Sequence, residues 1–192
     1  MKLEDTSQEK IINAIRYFCR HTKYLTETKL YKLLYFLDFL HFKEVGRSVT
    51  NLEYYAWDFG PVPQSLYFEI KSKQAPQDIL RCIIEEKDDL SGKIKGHYFK
   101  SGTPPNLDVF SDREIEILEK VAIVFRDALA KDMTEITHLK NTPYDKTLVS
   151  KGKKQKIDYL LALDEDSKVS KDEAQERHKL SQEMRRLFGA GK

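Results

Sequence analysis

Cysteine is scarce in this 192-residue chain: two residues, Cys19 and Cys82, cannot build a disulfide framework or a cysteine-rich zinc site. The expected setting is a reducing cytoplasm. Long apolar runs are missing too. The richest, residues 30–42, is too short to span a bilayer and carries Lys32 and Asp38. The opening MKLEDTSQEK lacks the apolar core of a signal peptide, so no membrane role is expected. Charge of one sign is also lacking: 33 basic and 31 acidic residues leave +2, which gives no general argument for nucleic acid or an anionic surface. There is no repeat at solenoid spacing, no G-x-x-x-x-G-K-S/T or G-x-G-x-x-G loop to cradle phosphate, and no G-x-S-x-G elbow. No cofactor is expected.

With 40% hydrophobic and 33% charged residues, the chain is long enough for one domain with a real core. Ile11, Ile12, Ala14, Ile15 and Phe18 fall at helical spacing over residues 8–20. Thr26 is placed to cap a second helix that runs to Val45 and stops at Gly46. Residues 52–59 read as a strand ended by Gly60-Pro61, and a short helix with Leu66, Tyr67 and Ile70 follows from near Pro63. The segments ILRCIIEEKD and KIKGHYFKS flank DLSG, as in a β-hairpin, although the first arm also suits a helix. Ser111 and Glu114 form a capping box ahead of a helix with Ile115, Leu118, Ala122, Phe125 and Leu129 on one face. A short helix then holds Met133, Ile136 and His138 before NTPY turns the chain. Beyond a second capping box at Ser170–Glu173, the last helix carries a narrow stripe of Leu180, Met184, Leu187 and Phe188, which must dock or meet a partner.

The second helix holds the sharpest signal. Projected at about 100° per residue, Lys29, Lys32 and Lys43 share one arc, and Leu30, Leu33, Leu34 and Leu37 lie well away from it. Asp38 falls about 150° from the lysine arc among Tyr31, Tyr35 and Phe42, with His41 one turn along on the same general side. A carboxylate and an imidazole facing inward are costly unless hydrogen-bonded. Two readings stay open: an internal polar pair that fixes the helix, or a pocket for a partner or for proton transfer. A metal site is disfavoured, because two ligands have no clear third unless the fold brings His138 in. The corner AWDFGPVP, with the single tryptophan, is the expected source of partners: a backbone amide or the Trp57 indole meeting Asp38 or His41. His21, His97 and His178 stand alone in polar surroundings, and the run KGKKQK reads as a solvated loop.

The segments KLLYFLDFLHFKEVGRSVTN, YAWDFGPVPQSLY, FSDREIEIL and EITHLKNTPY together resemble the Panacea domain, the family of SocA-like antitoxins and phage-associated proteins. The family pattern falls on Tyr35, Phe36, Asp38, His41, Gly46, Trp57, Gly60, Pro61, Val62, Thr137 and His138; where the family often has a late tryptophan, this chain has Tyr144. The resemblance covers residues 8–163. It implies a mainly α fold with a small antiparallel β-sheet (α+β), and a compact helical domain over 1–163. The β-hairpin insert near 79–100 and the charged helical extension over 164–192 are expected from the residues themselves, and nothing of the family is carried over to them. The resemblance also implies a bacterial or phage antitoxin, not an enzyme, that binds a toxin protein encoded nearby. The residues singled out for the partner are Tyr35, Asp38, His41, Trp57, Gly60, Pro61, Val62 and His138. Three other readings compete. A proteolytic adaptor would reach a protease or unfoldase through the tail, an enzyme would centre on Asp38 and His41, and a DNA-binding regulator would use the KGKKQK lysines.

Overall fold

The computed structural model describes residues 3–87 and 94–188. It is mainly helical, with two small antiparallel sheets. In chain order the elements are α1 (Leu3–His21), α2 (Glu27–Val45), β1 (Tyr54–Trp57), β2 (Gly60–Pro63), α3 (Gln64–Lys71), α4 (Gln77–Leu80), β3 (Ile83–Lys87), β4 (Ile94–Phe99), α5 (Asp112–Val124), α6 (Ala130–Thr137), α7 (Pro143–Lys151) and α8 (Lys171–Phe188). Short 3-10 turns lie at Leu107–Val109 and Tyr159–Ala162.

Local chemistry sets the helix ends. The Thr26 hydroxyl accepts from the Lys29 amide at 3.2 Å, and Gly46 closes α2 in the left-handed region at φ 70. Ser111 and Glu114 cap α5 reciprocally as their spacing predicts. That helix stops at Val124, however, so Phe125 is its C-cap and Leu129 begins α6 with its side chain exposed.

Packing places α2 at the centre, against α1, α5, α6, β2, β4 and the Tyr159–Ala162 turn. Leu30, Leu33, Leu34 and Leu37 are fully buried, each contributing about 1.5–3 kcal/mol. Because neighbours surround this helix, two of the three lysines of the projected arc do not face solvent, whereas Lys43 is half-buried and pairs with Asp164 at 2.7 Å. Lys29 and Lys32 are as buried as the leucines. The Lys29 ammonium donates to three carbonyls, those of Ala128 (2.6 Å), Lys23 (2.7 Å) and Arg126 (3.2 Å), and ties α2 to the α5–α6 connection.

The strand expected over 52–59 is half of a hairpin. β1 pairs with β2 from Tyr54↔Pro63 to Trp57↔Gly60, with Asp58 and Phe59 in the turn. Two prolines fit in β2 because of register: Pro63 and Pro61 stand opposite Tyr54 and Ala56, whose backbone groups bond outward instead. Ala56 donates to Gln155 (2.9 Å) and accepts from Lys154 (2.7 Å), while Tyr54 accepts from Ile157 (2.8 Å). The KGKKQK segment is therefore laced along the hairpin edge. In the second hairpin the ambiguous first arm resolves into both forms, one turn of helix (α4) and then β3, paired with β4. The DLSG turn lies outside the described residues. So does the Phe188 side chain of the terminal stripe. α7 was not expected: Thr142 caps it and Pro143 opens it, so NTPY starts a helix as well as a turn.

Candidate functional site

The motif residues separate into two groups at opposite ends of α2. Toward the C-terminal end, Asp38 is fully buried and collects donors from one loop and two tyrosines. Its Oδ1 accepts from the amides of Val49 (2.8 Å) and Thr50 (2.7 Å). Its Oδ2 accepts from the Thr50 hydroxyl, from Tyr54 (2.8 Å) and, at 3.4 Å, from Tyr159. Burial pushes this carboxyl up to about 6, against the pull of the Thr50, Tyr54 and Val49 donors. Tyr159 also donates to the Leu52 carbonyl at 2.6 Å, so one cluster holds residues 49–54 and the Tyr159 turn on α2.

His41 joins the same loop but not the same cluster. Its Nδ1 meets the Arg47 carbonyl at 2.6 Å, and burial lowers its pKa. Asp38 and His41 thus each hold the chain after Gly46, rather than each other. No amide of the AWDFGPVP corner and no indole reaches either residue; the amides come from Val49 and Thr50, and from the hairpin only the Tyr54 hydroxyl arrives. The reason is chain length. The loop that follows Gly46 folds straight back over the helix end, so its amides are the nearest donors. Tyr35, one turn earlier, packs its ring on Phe39 and Tyr54, with its side chain buried.

Toward the N-terminal end, the corner meets a different residue of α2, Lys32. It is 1% exposed, and its ammonium donates to the Phe59 carbonyl. Gly60, at φ 107, lies directly against it: a Cβ there would sit 2.9 Å from both Lys32 Nζ and Thr137 Oγ1. Pro61 and Val62 are buried behind this contact in β2. His138 caps α6, its Nδ1 2.6 Å from the Thr134 carbonyl and its Nε2 3.0 Å from the Tyr144 hydroxyl. Tyr144 in turn donates to the Trp57 carbonyl at 2.7 Å. The late Thr-His pair and Tyr144 thus hold the corner in place, and His138 joins Tyr144 rather than Asp38 or His41. Among the described residues, no group of three or more His, Cys, Asp or Glu is placed to hold a metal ion.

Outside this corner opens a groove of about 710 Å³, whose lining includes Lys32, Trp57, Phe59, Tyr67, His97 and Tyr98. Trp57 meets Tyr67 edge-on at 4.8 Å between centroids. Phe59, at the hairpin tip, is 75% exposed. Glu27 anchors the rim, its Oε2 2.9 Å from His97 Nδ1 and 3.0 Å from Lys71 Nζ. Burial works against that carboxylate, yet hydrogen bonds from His97, Lys71 and Tyr31 hold its pKa below the ordinary value.

Lys32 was missed by projection alone. The signal available was a lysine embedded in KLYKLLYF, with large apolar residues on every side.

A family model described as "Antitoxin SocA-like, Panacea domain" matches residues 30–145, more than half of the chain. The chain belongs to this family. No curated protein and no solved structure matches it. The matched Panacea region begins at Leu30 and ends at Asp145, so it spans the motif residues of both groups, while Tyr159 of the Asp38 cluster lies beyond it. The aromatic groove is formed largely from the matched region; of its lining, Thr26, Glu27, Thr28 and Lys154 lie outside the match.

Proposed function

We propose that this protein is an antitoxin that neutralises a toxin protein, encoded nearby in a bacterial or phage genome, by binding it directly, and that the aromatic groove is the surface that meets the toxin. Membership of the antitoxin family carries the reading. The groove supports it in kind. Aromatic side chains that are partly exposed beside a polar rim are the usual anchors of protein interfaces. The reading needs no catalysis, and Asp38 and His41 have structural partners that account for both. A cytoplasmic setting belongs to the same proposal; among the described residues no helix is long and apolar enough to cross a membrane.

The test is co-expression with the adjacent reading frame. The neighbour should be toxic alone, be rescued by this protein and co-purify with it. A neighbour that is harmless alone would overturn the reading. Phe59→Ala should weaken the complex by about tenfold or more, as truncating an interface anchor does. Because the ring is 75% exposed, the same change should alter folding stability by no more than about 0.5 kcal/mol, checked by denaturant melts.

A further inference from the structure

Lys32 is a cation without a counter-charge. Its side chain is 1% exposed, and among the described residues no carboxylate forms an ion pair with it and the Phe59 carbonyl is its one acceptor. An ammonium has three donors, so two are left over. Buried charges are as a rule paired, because stripping water from an ion costs several kcal/mol, on the order of what a good partner returns. Burial accordingly pushes the Lys32 ammonium down to about 8. The residue lines the groove, and so does Trp57, whose buried indole N–H also has no acceptor among the described residues. Two donors in want of acceptors thus belong to the same cavity.

We propose that the groove takes a carboxylate of a partner protein, an aspartate or glutamate side chain flanked by apolar residues, with Lys32 as its ion-pair anchor and Trp57, Phe59 and Tyr67 against the flanking side chains. This deepens the toxin-binding reading and rests on it for the partner's being a protein. Charge complementarity selects the carboxylate. Three lysines, Lys32, Lys71 and Lys154, line the cavity together with three carboxylates, Glu27, Asp58 and Glu86. Glu27 is matched by Lys71 and His97, and Asp58 by Lys153 at 2.5 Å. One unmatched, desolvated cation suits one singly charged group. A phosphate, with a charge of about −1.5 to −2 and three acceptor oxygens, would need more donors than this one ammonium and the Trp57 indole supply. The aromatic walls suit apolar neighbours of the acid, and a charge-assisted bond made out of water in this setting is among the stronger contacts available.

Trp57 is the single tryptophan, so the protein's indole fluorescence reports on this groove. The full chain is titrated with two blocked peptides, acetyl-Leu-Phe-Glu-Phe-Leu-amide and its Gln counterpart, and separately with inorganic phosphate. The Glu peptide should give a saturable change at or below about millimolar concentration, with the Gln peptide at least about tenfold weaker. Lys32→Met should bind both peptides alike. Equal binding of the two peptides by the wild type, no saturable change with either, a preference for phosphate, or a Lys32→Met protein that keeps the preference for Glu would each overturn the proposal. If Lys32→Met does not fold, the Glu-to-Gln comparison on the wild type decides alone. No toxin enters this titration, so it can fail while the neighbour proves toxic, and the neighbour can prove harmless while it succeeds.

Discussion

Asp38→Ala is expected to remove about 3–5 kcal/mol of folding stability, a large share of the roughly 5–15 kcal/mol that holds a domain of this size. The loss does not come from the helix, where alanine is favoured. It comes from the donors left behind: two buried amides, the Thr50 hydroxyl and the Tyr54 hydroxyl all lose their acceptor at once. Asp38→Asn is the informative companion. Its amide oxygen still accepts from Val49 and Thr50, and the hydroxyls can turn to accept from its NH₂. It should therefore cost less, about 1–2 kcal/mol. The pair also carries a pH signature. The folded carboxyl titrates near 6, above the ordinary value of 3.8, so the folded state holds its proton more tightly than the unfolded chain. The stability that this proton contributes is complete below about pH 4 and is lost as pH rises through about 6. Denaturant melts at pH 4 and pH 7 should show the wild type losing ground to Asp38→Asn by on the order of 2–3 kcal/mol as pH rises. A constant gap between the two proteins would mean that Asp38 keeps an ordinary affinity for its proton.

Gly60→Ala is the second large effect. At φ 107 any L-residue is strained, by about 1–3 kcal/mol. The new methyl would also lie 2.9 Å from the Lys32 ammonium and the Thr137 hydroxyl, inside contact distance for both. Neither neighbour yields freely. Lys32 is held by the Phe59 carbonyl, and the Thr137 hydroxyl donates to the Thr134 carbonyl at 2.9 Å. Strain and overpacking together predict a loss of about 3 kcal/mol or more, with the hairpin tip displaced. Thermal melts give the magnitude, and a red shift of Trp57 emission would report that the groove has opened. If Gly60→Ala melts like the wild type, the corner is looser than its packing indicates.

What the sequence made legible was local. Thr26, Gly46 and the Ser111–Glu114 box act within one turn of themselves, so spacing alone places the ends of α2 and the start of α5. Asp38 was legible as an inward group because it is the single acid among aromatics on its side of α2. Its donors were not, since they depend on how the chain after Gly46 closes over the helix. β2 was hidden by its prolines, whose fit depends on a register with β1 and on the edge supplied by residues 154–157. Lys32 was missed for a related reason. A helical projection finds a polar arc but not what covers it, and the lysine stem carries its charge to a carbonyl 27 residues away.

The last helix changes how the tail can be handled. Its start crosses the end of α2 so closely that a Cβ on Gly46 would lie 2.9 Å from the Ala174 Cα, and His178 rests its ring near those of Phe42 and Tyr159, at 5.4 and 5.7 Å. The first half of α8 is thus a bolt over the Asp38 end of the domain, while Leu180, Met184 and Leu187 ride exposed on the second half. Deleting residues 165–192 would draw the bolt and uncover the core, so a loss of function in such a truncation would report unfolding as readily as a lost contact. Serine at Leu180, Met184 and Leu187 leaves the bolt shut. That triple variant should resist limited proteolysis as the intact chain does, whereas a chain ending before the helix should be cut quickly.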